Sequence, residues 1–266
     1  MRLVLALVVA PVLACGGAAP EATAPPPSAS ITGGGDPGLP IAFHALEGAP
    51  PDGPVVATKA GAVTVDGAAV ATVDPAALVA AKTPPRIDGL ARALAARPGD
   101  HAAFTFERDE PAAVVKAVVL TAARAGHPRA TLLVRVTART GGALARARLE
   151  LDDRGDDAKG ERELHVAVSA HGVVLLRWQE GTKVIGDVVS TELPVAKVAA
   201  AVEHGWNERG LHHDPGDRRL DRAVVHVTND TPYSVLLVAL DALHAPRRKD
   251  GKDEPAPAFR VRLAAD

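Results

Sequence analysis

The sequence predicts an α+β fold with two small tandem modules, each of the order β-α-β-α-β, whose helices pack on one face of a mixed sheet. Three observations lead to this prediction. One stretch of the chain recurs further on without a gap. Both copies alternate segments of strand periodicity with segments of helix periodicity. A tract rich in Gly, Ala and Pro separates the modules from the N-terminus.

The recurring stretch is Asp100–Val115, which aligns with Asp221–Leu236. The identical pairs are Asp100/Asp221, Ala102/Ala223, Asp109/Asp230, Pro111/Pro232 and Val114/Val235. A repeat of this kind is one supersecondary unit used twice. We call residues 55–151 copy one and residues 164–266 copy two, and the charged run 152–163 between them is the predicted linker.

Residues 1–15 have the features of a bacterial lipoprotein signal peptide. Arg2 gives a positive start, residues 3–13 are apolar, and Cys15 follows a small-residue cleavage site. The apolar run is shorter than the ~20 residues of a membrane-spanning helix. The segment resembles a lipobox, which implies a lipid on Cys15, and Gly16 favours the outer membrane. The alternative is an ordinary secretory signal cut near Ala14 or Ala19.

Residues 16–54 consist mostly of Gly, Ala, Pro, Ser and Thr. A tract of this composition buries too little apolar surface to offset the entropy of ordering. The sequence therefore predicts a disordered tether. A flexible run of about 25 residues reaches roughly 25–30 Å.

The overall composition excludes some functions. Hydrophobic residues make up 47% of the chain and aromatic residues only 3%, so Val, Leu and Ala must fill the core. The formal net charge of −2 provides no basic field for nucleic acid. Since Cys15 is the only cysteine, the mature chain forms no internal disulfide. No motif predicts a cofactor or a metal site.

Copy one begins with an alternating segment, residues 60–67, which ends on the hairpin dipeptide Asp66-Gly67. A short amphipathic helix follows over residues 87–96, and alternating Ala102, Phe104 and Phe106 predict a strand. Asp109 or Glu110 is expected to cap the next helix, with Pro111 in its first turn. That helix buries Val114, Val118 and Ala122, ends at Gly126, and leads to a strand over residues 131–136. Leu144–Leu151 is predicted as an extra strand.

Copy two repeats this order. A strand is predicted over Val168–Leu176, and Val195, Val198 and Val202 line a helix. Ala223, Val225 and Val227 form the next strand, Asp230-Thr231-Pro232 starts the helix that buries Val235, Ala239 and Leu243, and residues 259–263 form the last strand. Residues 204–220 read as an insertion, and residues 246–257 read as a charged loop without a counterpart in copy one.

The order of these elements resembles the periplasmic domain of the ExbD/TolR family. In that family a strand ends in an acidic turn, and the next helix opens with a Pro-Tyr-like pair and carries an Asp further on. Copy two has this pattern in Asp230, Pro232, Tyr233 and Asp241. Copy one keeps Asp109 and Pro111 but has Ala112 and Leu120 at the positions of the Tyr and the second Asp.

The resemblance implies a non-catalytic, periplasm-facing lipoprotein that binds an energy-transduction complex of the ExbB/ExbD or TolQ/TolR type, or peptidoglycan. It implies partner binding by Asp109, Pro111, Asp230, Pro232, Tyr233 and Asp241. Members of the family carry a membrane helix with a buried Asp, and no such helix precedes these modules, so proton transduction is not implied. Since modules of this family tend to pair, the two copies are expected to form an intramolecular pseudo-dimer.

Three alternatives to partner binding through these residues remain. Asp109 and Asp230 are also ordinary helix-capping residues. The fold alone could mimic the family, which would make the chain a structural or assembly lipoprotein. A hydrolase site could be assembled from dispersed residues such as Glu203, His212, His213 and Asp214, although the histidines also fit a surface loop.

Overall fold

Two mixed β-sheets form the framework of the structure, a computed structural model that describes residues 39–48, 52–137, 144–152, 162–214, 216–217, 219–248 and 256–265. These residues belong to one compact unit. Helices pack against both sheets, and one continuous apolar cluster joins them. The predicted α+β class is confirmed.

The first sheet has seven strands in the order β1-β7-β6-β5-β2-β3-β4. The strands are β1 (Leu46–Glu47), β2 (Val55–Lys59), β3 (Ala62–Val65), β4 (Ala68–Thr72), β5 (His101–Thr105), β6 (Arg129–Thr137) and β7 (Leu144–Asp152). The helices of this half are α1 (Pro75–Ala80), α2 (Asp88–Ala95) and α3 (Ala112–Arg124).

The second sheet has six strands, with β10-β9-β8-β12-β15 as its main path and β11 also paired with β9. The strands are β8 (Arg162–Val168), β9 (Val173–Glu180), β10 (Lys183–Val184), β11 (Val189–Glu192), β12 (Asp221–Val227) and β15 (Phe259–Leu263). The helices are α4 (Val195–Arg209) and α5 (Tyr233–Leu243), and β13 (Arg247–Arg248) pairs with β14 (Ala256–Pro257) at the base of the predicted charged loop.

The two sheets share one strand order. In the first sheet β4, β3 and β2 are antiparallel neighbours, and β2, β5 and β6 are parallel neighbours. In the second sheet β11, β9 and β8 are antiparallel neighbours, and β8, β12 and β15 are parallel neighbours. The repeated sequence stretch therefore has the same place in both sheets, since it covers β5 with the start of α3 and β12 with the start of α5.

The core is aliphatic, as the composition predicts. The predicted apolar stripe of α3, formed by Val114, Val118 and Ala122, is fully buried. In α5, Ala239 and Leu243 are buried, whereas Val235 is half-buried. Burial of apolar surface at about 25 cal/mol per Å² is the main stabilising contribution in a fold without disulfides.

The hairpin between β3 and β4 in copy one forms where its turn sequence predicts it. The dipeptide Asp66-Gly67 joins β3 to β4, and both residues have positive φ angles of 51° and 80°. A two-residue turn with two positive φ angles matches the twist of a hairpin. The predicted turn is therefore confirmed, and so is the helix predicted over residues 87–96, which forms as α2.

Two predictions for copy two are wrong. Val168–Leu176 is not one strand, because β8 ends at Val168 and β9 begins at Val173. Gly172 turns the chain between them with a φ angle of 77°, and its amide donates to the Ser169 carbonyl at 3.0 Å. Residues 204–220 do not wholly separate helix and strand as predicted, because α4 continues to Arg209.

The predicted tether extends too far towards the folded part. Residues 39–48, which we call the N-terminal segment, lie against the folded body instead. The Ala42 amide donates to the Arg135 carbonyl at 2.8 Å, and Ala42 is buried. Leu46 and Glu47 pair with β7 as strand β1. The tether prediction for residues 16–38, the signal peptide with Cys15, and most of the predicted linker (residues 153–161) lie outside the described residues.

Among the helices that the structure describes, none is both long and apolar enough to cross a membrane.

Candidate functional site

The starts of helices α3 and α5 lie against each other and exchange backbone hydrogen bonds. Pro111 and Pro232, which are equivalent in the sequence repeat, form an antiparallel bridge. Four amides donate across this contact: Ala112 to Thr231 O at 2.7 Å, Tyr233 to Glu110 O at 2.7 Å, Ala113 to Asn229 O at 3.0 Å, and Ser234 to Arg108 O at 2.9 Å. Each bond has its counterpart in the other copy, since the donors and acceptors are equivalent positions of the repeat. We call this contact the junction.

At the junction, backbone carbonyls accept the hydrogen bonds that side chains normally accept from the first amides of a helix. The first amides of an α-helix have no partner inside the helix and are usually capped by a side chain or by water. Neither α3 nor α5 has a side-chain cap, and Pro111 and Pro232 occupy the N-cap positions. The prediction that Asp109 or Glu110 caps α3, and the capping alternative for Asp230, are wrong. A carbonyl of the other copy takes the place of each cap.

The turn before α3 contains a buried carboxyl group. Glu110 accepts a hydrogen bond from the Thr58 hydroxyl and a longer one of 3.4 Å from the Glu107 amide. Burial raises the pKa of the Glu110 carboxyl, and these hydrogen bonds partly oppose that shift. The equivalent residue of copy two is Thr231, whose hydroxyl lies 2.7 Å from the Thr228 hydroxyl. The two turns therefore have the same shape but different chemistry.

An open groove lies beside each of these turns. The groove of copy one has a volume of about 450 Å³, and residues 60–61, Pro75 and residues 107–111 line it. The groove of copy two has a volume of about 410 Å³, and residues 167–168 and 226–229 line it. Both grooves are formed at the end of equivalent strands, so the repeat generates a pair of related surface grooves.

Five of the six predicted partner-binding residues lie at the junction but differ in exposure, and Asp241 lies further along α5. Asp109 and Asp230 are exposed, and Pro111 and Pro232 are half-buried. Tyr233 is only 1% exposed, and its ring lies 5.2 Å from the ring of Phe106 in copy one. Burial raises the pKa of the Tyr233 hydroxyl above its usual range. Tyr233 is therefore a packing residue of the junction, and an external partner does not reach it in this arrangement.

Asp241 binds a segment of its own chain. Its carboxylate accepts the Phe43 amide at 2.8 Å and the His44 amide at 2.7 Å, while Arg247 donates to the His44 carbonyl at 2.7 Å. Asp241 is only 1% exposed. Burial raises the pKa of Asp241, and the two backbone hydrogen bonds act in the opposite direction. The carboxylate thereby ties the N-terminal segment to helix α5.

Two contacts between the copies escaped the sequence interpretation. Lys116 is only 1% exposed, and its ammonium group donates to the Val227 carbonyl at 3.1 Å. Asn229 donates its side-chain amide to the Ala81 carbonyl at 2.8 Å. A lone lysine inside the apolar run of α3 was the available signal for the first contact, because a buried ammonium requires acceptors. The Asn229 contact has no sequence signal, since its acceptor is a backbone carbonyl.

The histidines of the hydrolase alternative have structural partners. His212 Nδ1 lies 2.7 Å from the Asp217 carboxylate, and His213 Nε2 lies 2.9 Å from the Gly210 carbonyl. Glu203 and Asp214 are exposed. Asp221 organises this loop by accepting the Trp206 indole N–H at 2.8 Å and the Leu211 amide at 2.9 Å. Within the described ranges, no group of three or more His, Cys, Asp or Glu side chains could hold a metal ion.

No protein-family model, no curated protein and no solved structure matches this chain.

Proposed function

We propose that this chain is a non-catalytic, lipid-anchored envelope protein whose two ExbD/TolR-like modules form an intramolecular pseudo-dimer that binds an envelope partner. The partner is an energy-transduction complex of the ExbB/ExbD or TolQ/TolR type, or peptidoglycan. The lipidated residue is Cys15, and the outer membrane is the proposed location.

The reciprocal hydrogen bonds of the junction carry this proposal. A two-fold contact uses the same patch on both partners, so residue i contacts residue j and j contacts i. The four amide–carbonyl bonds obey this rule within one chain. The shared strand order of the two sheets supports an origin of both copies from one module. A fused pair of binding modules presents two related surfaces at a fixed spacing.

The exposed residues of the junction narrow the proposed binding surface. Tyr233 and Asp241 are buried and make their contacts within the chain, whereas Asp109 and Asp230 are exposed next to the two grooves. We therefore assign partner contact to Asp109, Asp230 and the half-buried prolines. The separation between exposed and buried members makes the proposal testable, because exposed aspartates can be replaced without disturbing the core.

In-cell photo-crosslinking tests the binding surface. A benzoylphenylalanine residue placed at Asp109 or at Asp230 should capture a proton-channel subunit, its periplasmic linker protein, or peptidoglycan fragments. The same residue at Asp88, an exposed aspartate of α2, serves as the control. Capture at positions 109 and 230 that does not exceed capture at position 88 would contradict the proposal.

Labelling with a fatty acid tests the anchor separately. The wild-type chain should incorporate radioactive palmitate and sediment with membranes, and the Cys15→Ser variant should do neither. Equal labelling of both chains would remove the anchor from the proposal and leave the binding surface to be judged by crosslinking alone.

A further inference from the structure

The solvent side of the second sheet carries a pair of stacked imidazoles. His165 on β8 and His226 on β12 have ring centroids 5.2 Å apart at an interplanar angle of 18°. His165 Nδ1 lies 3.0 Å from His226 Nε2, so one nitrogen donates and the other accepts. Burial lowers the pKa of His165, the neighbouring His226 adds to this shift, and Glu163 opposes it. These surroundings favour the neutral form of His165.

Two guanidinium groups flank this pair on neighbouring strands. Arg177 on β9 is directly opposite His165, and Arg262 on β15 is opposite Val224, which is itself opposite His165. Both guanidinium groups act electrostatically on His165 and lower its pKa. We call His165, His226, Arg177 and Arg262 the imidazole cluster.

The positive charge of the imidazole cluster is only partly offset by nearby carboxylates. Glu163 lies 3.5 Å from His165 Nε2, but it also lies 3.2 Å from Arg222, and Asp152 lies 3.7 Å from Arg260. Among the residues that the structure describes, Arg177 and Arg262 have no carboxylate within ion-pair distance. The Arg262 Nε–H is also buried without a hydrogen-bond partner in that same part of the chain. A buried donor without an acceptor carries a desolvation cost.

Copy one shows that the sheet does not require these residues. Val56 pairs with Phe104 as Val166 pairs with Val225, so strand register assigns an equivalent in copy one to every member of the cluster. The equivalents are Val55 for His165, Thr105 for His226, Asp66 for Arg177 and Thr131 for Arg262. Copy one therefore forms a sheet of the same strand order with two threonines, a valine and an aspartate at the positions where copy two has arginines and histidines.

We propose that the imidazole cluster is a binding site for a phosphate-class oxyanion, either free phosphate or the phosphate of a lipid headgroup. Guanidinium groups bind phosphate through paired N–H donors. Each imidazole that takes up a proton adds a donor and a positive charge, and a bound anion stabilises that protonated form. The inference rests on the geometry of the second sheet and is independent of the lipid anchor and of the junction.

Titration of the full chain with two probes tests this site. Inorganic phosphate represents the free ion, and monomeric dihexanoyl phosphatidylglycerol represents the headgroup. We expect one of them to bind and to raise the pKa of His165, measured from the imidazole resonances by NMR. The probe that binds more tightly identifies the source of the phosphate.

The decisive variants replace an arginine of the imidazole cluster by the equivalent residue of copy one. Arg177→Asp and Arg262→Thr should each weaken binding about tenfold or more, because each removes one charge-assisted contact. Arg92→Asp, which makes the same charge change as Arg177→Asp at an exposed position of α2, should bind as the wild type does. Arg177 is exposed, so its variant keeps the test valid where Arg262→Thr fails to fold. Binding of neither probe, or equal binding by wild type and Arg177→Asp, would overturn the proposal.

Discussion

The role that the sequence predicts for Tyr233 differs from the role that it has in the structure. As the only tyrosine, next to a helix-starting proline, it resembles a partner-binding residue of the ExbD/TolR family. In the structure its ring packs on Phe106, and its hydroxyl has no hydrogen-bond partner among the described residues. The ring therefore stabilises the junction, whereas the hydroxyl carries a desolvation cost of about 1–3 kcal/mol.

This difference between ring and hydroxyl gives the first prediction. Tyr233→Phe should leave the free energy of unfolding unchanged or raise it by up to about 1 kcal/mol, because the small void left by the oxygen partly offsets the gain from removing an unsatisfied buried hydroxyl. Tyr233→Ala should lower it by about 3–5 kcal/mol through the cavity that remains. Urea denaturation measures both. A clear loss of stability in Tyr233→Phe would mean that the hydroxyl has a partner.

His244 makes stability depend on pH. Its Nδ1–H donates to the Leu240 carbonyl at 2.7 Å, and its Nε2 accepts the Glu150 amide at 3.1 Å. Burial is the main cause that lowers the pKa of His244 from its usual 6.5 to about 4. The unfolded chain therefore takes up the proton first as the pH falls.

The sign of this shift gives the second prediction. The contribution of His244 to the free energy of unfolding is fully present above pH 6.5 and is lost as the pH falls towards 4. The loss amounts to about 3 kcal/mol at 1.36 kcal/mol per unit of pKa. Urea denaturation of wild type and His244→Gln across this range isolates it from other histidines. Parallel stability curves for the two chains would contradict the assignment.

At the scale of elements, the N-terminal segment depends on Asp241. Phe43 is 67% exposed, although its amide is bound by the Asp241 carboxylate. Asp241→Ala removes the acceptor of two backbone amides, so residues 39–48 should open more often. We expect chymotrypsin to cleave after Phe43 about tenfold faster or more. The exposed Asp230→Ala is the control, and equal cleavage of the two variants would show that Asp241 does not hold the segment.

The junction makes a prediction about helix starts. Ser234 is the second residue of α5, and its amide donates across the junction, whereas Ala196 is the second residue of α4 and is exposed. Proline is tolerated in the first turn of a helix because no intrahelical bond is lost. Ser234→Pro should therefore lower the free energy of unfolding by about 1 kcal/mol more than Ala196→Pro does. Equal losses would show that the hydrogen bond from the Ser234 amide to the Arg108 carbonyl does not stabilise the fold.

Elements with strong local signals could be predicted from the sequence, and elements that depend on distant partners could not. Asp66-Gly67 and the apolar stripe of α3 specify their own conformation, so the hairpin and the helix form where expected. The sequence did not reveal β1, because its strand pairs with β7 far along the chain. The caps at Asp109 and Asp230 were wrong for a related reason: local capping rules cannot foresee a carbonyl supplied by the other copy.

At the scale of the whole molecule, the repeat was visible in the sequence, but the manner of pairing was not. Equivalent residues of the two copies meet at Pro111 and Pro232, and one apolar cluster includes residues of both halves. This arrangement explains why, among the predicted partner-binding residues at the junction, Tyr233 is buried whereas Asp109 and Asp230 are exposed. It also leaves the two sheets free to diverge, as the imidazole cluster of copy two illustrates.

The most direct test of the pairing is hydrogen exchange of four helix-start amides, those of Ala112, Ala113, Tyr233 and Ser234, followed by NMR. Amides at helix starts ordinarily lack intrahelical partners and exchange rapidly. Reciprocal pairing predicts that these four exchange only on global unfolding, while the amide of Ala196 at the start of α4 exchanges rapidly. If the four exchange as fast as Ala196, the two copies are not paired through their helix starts.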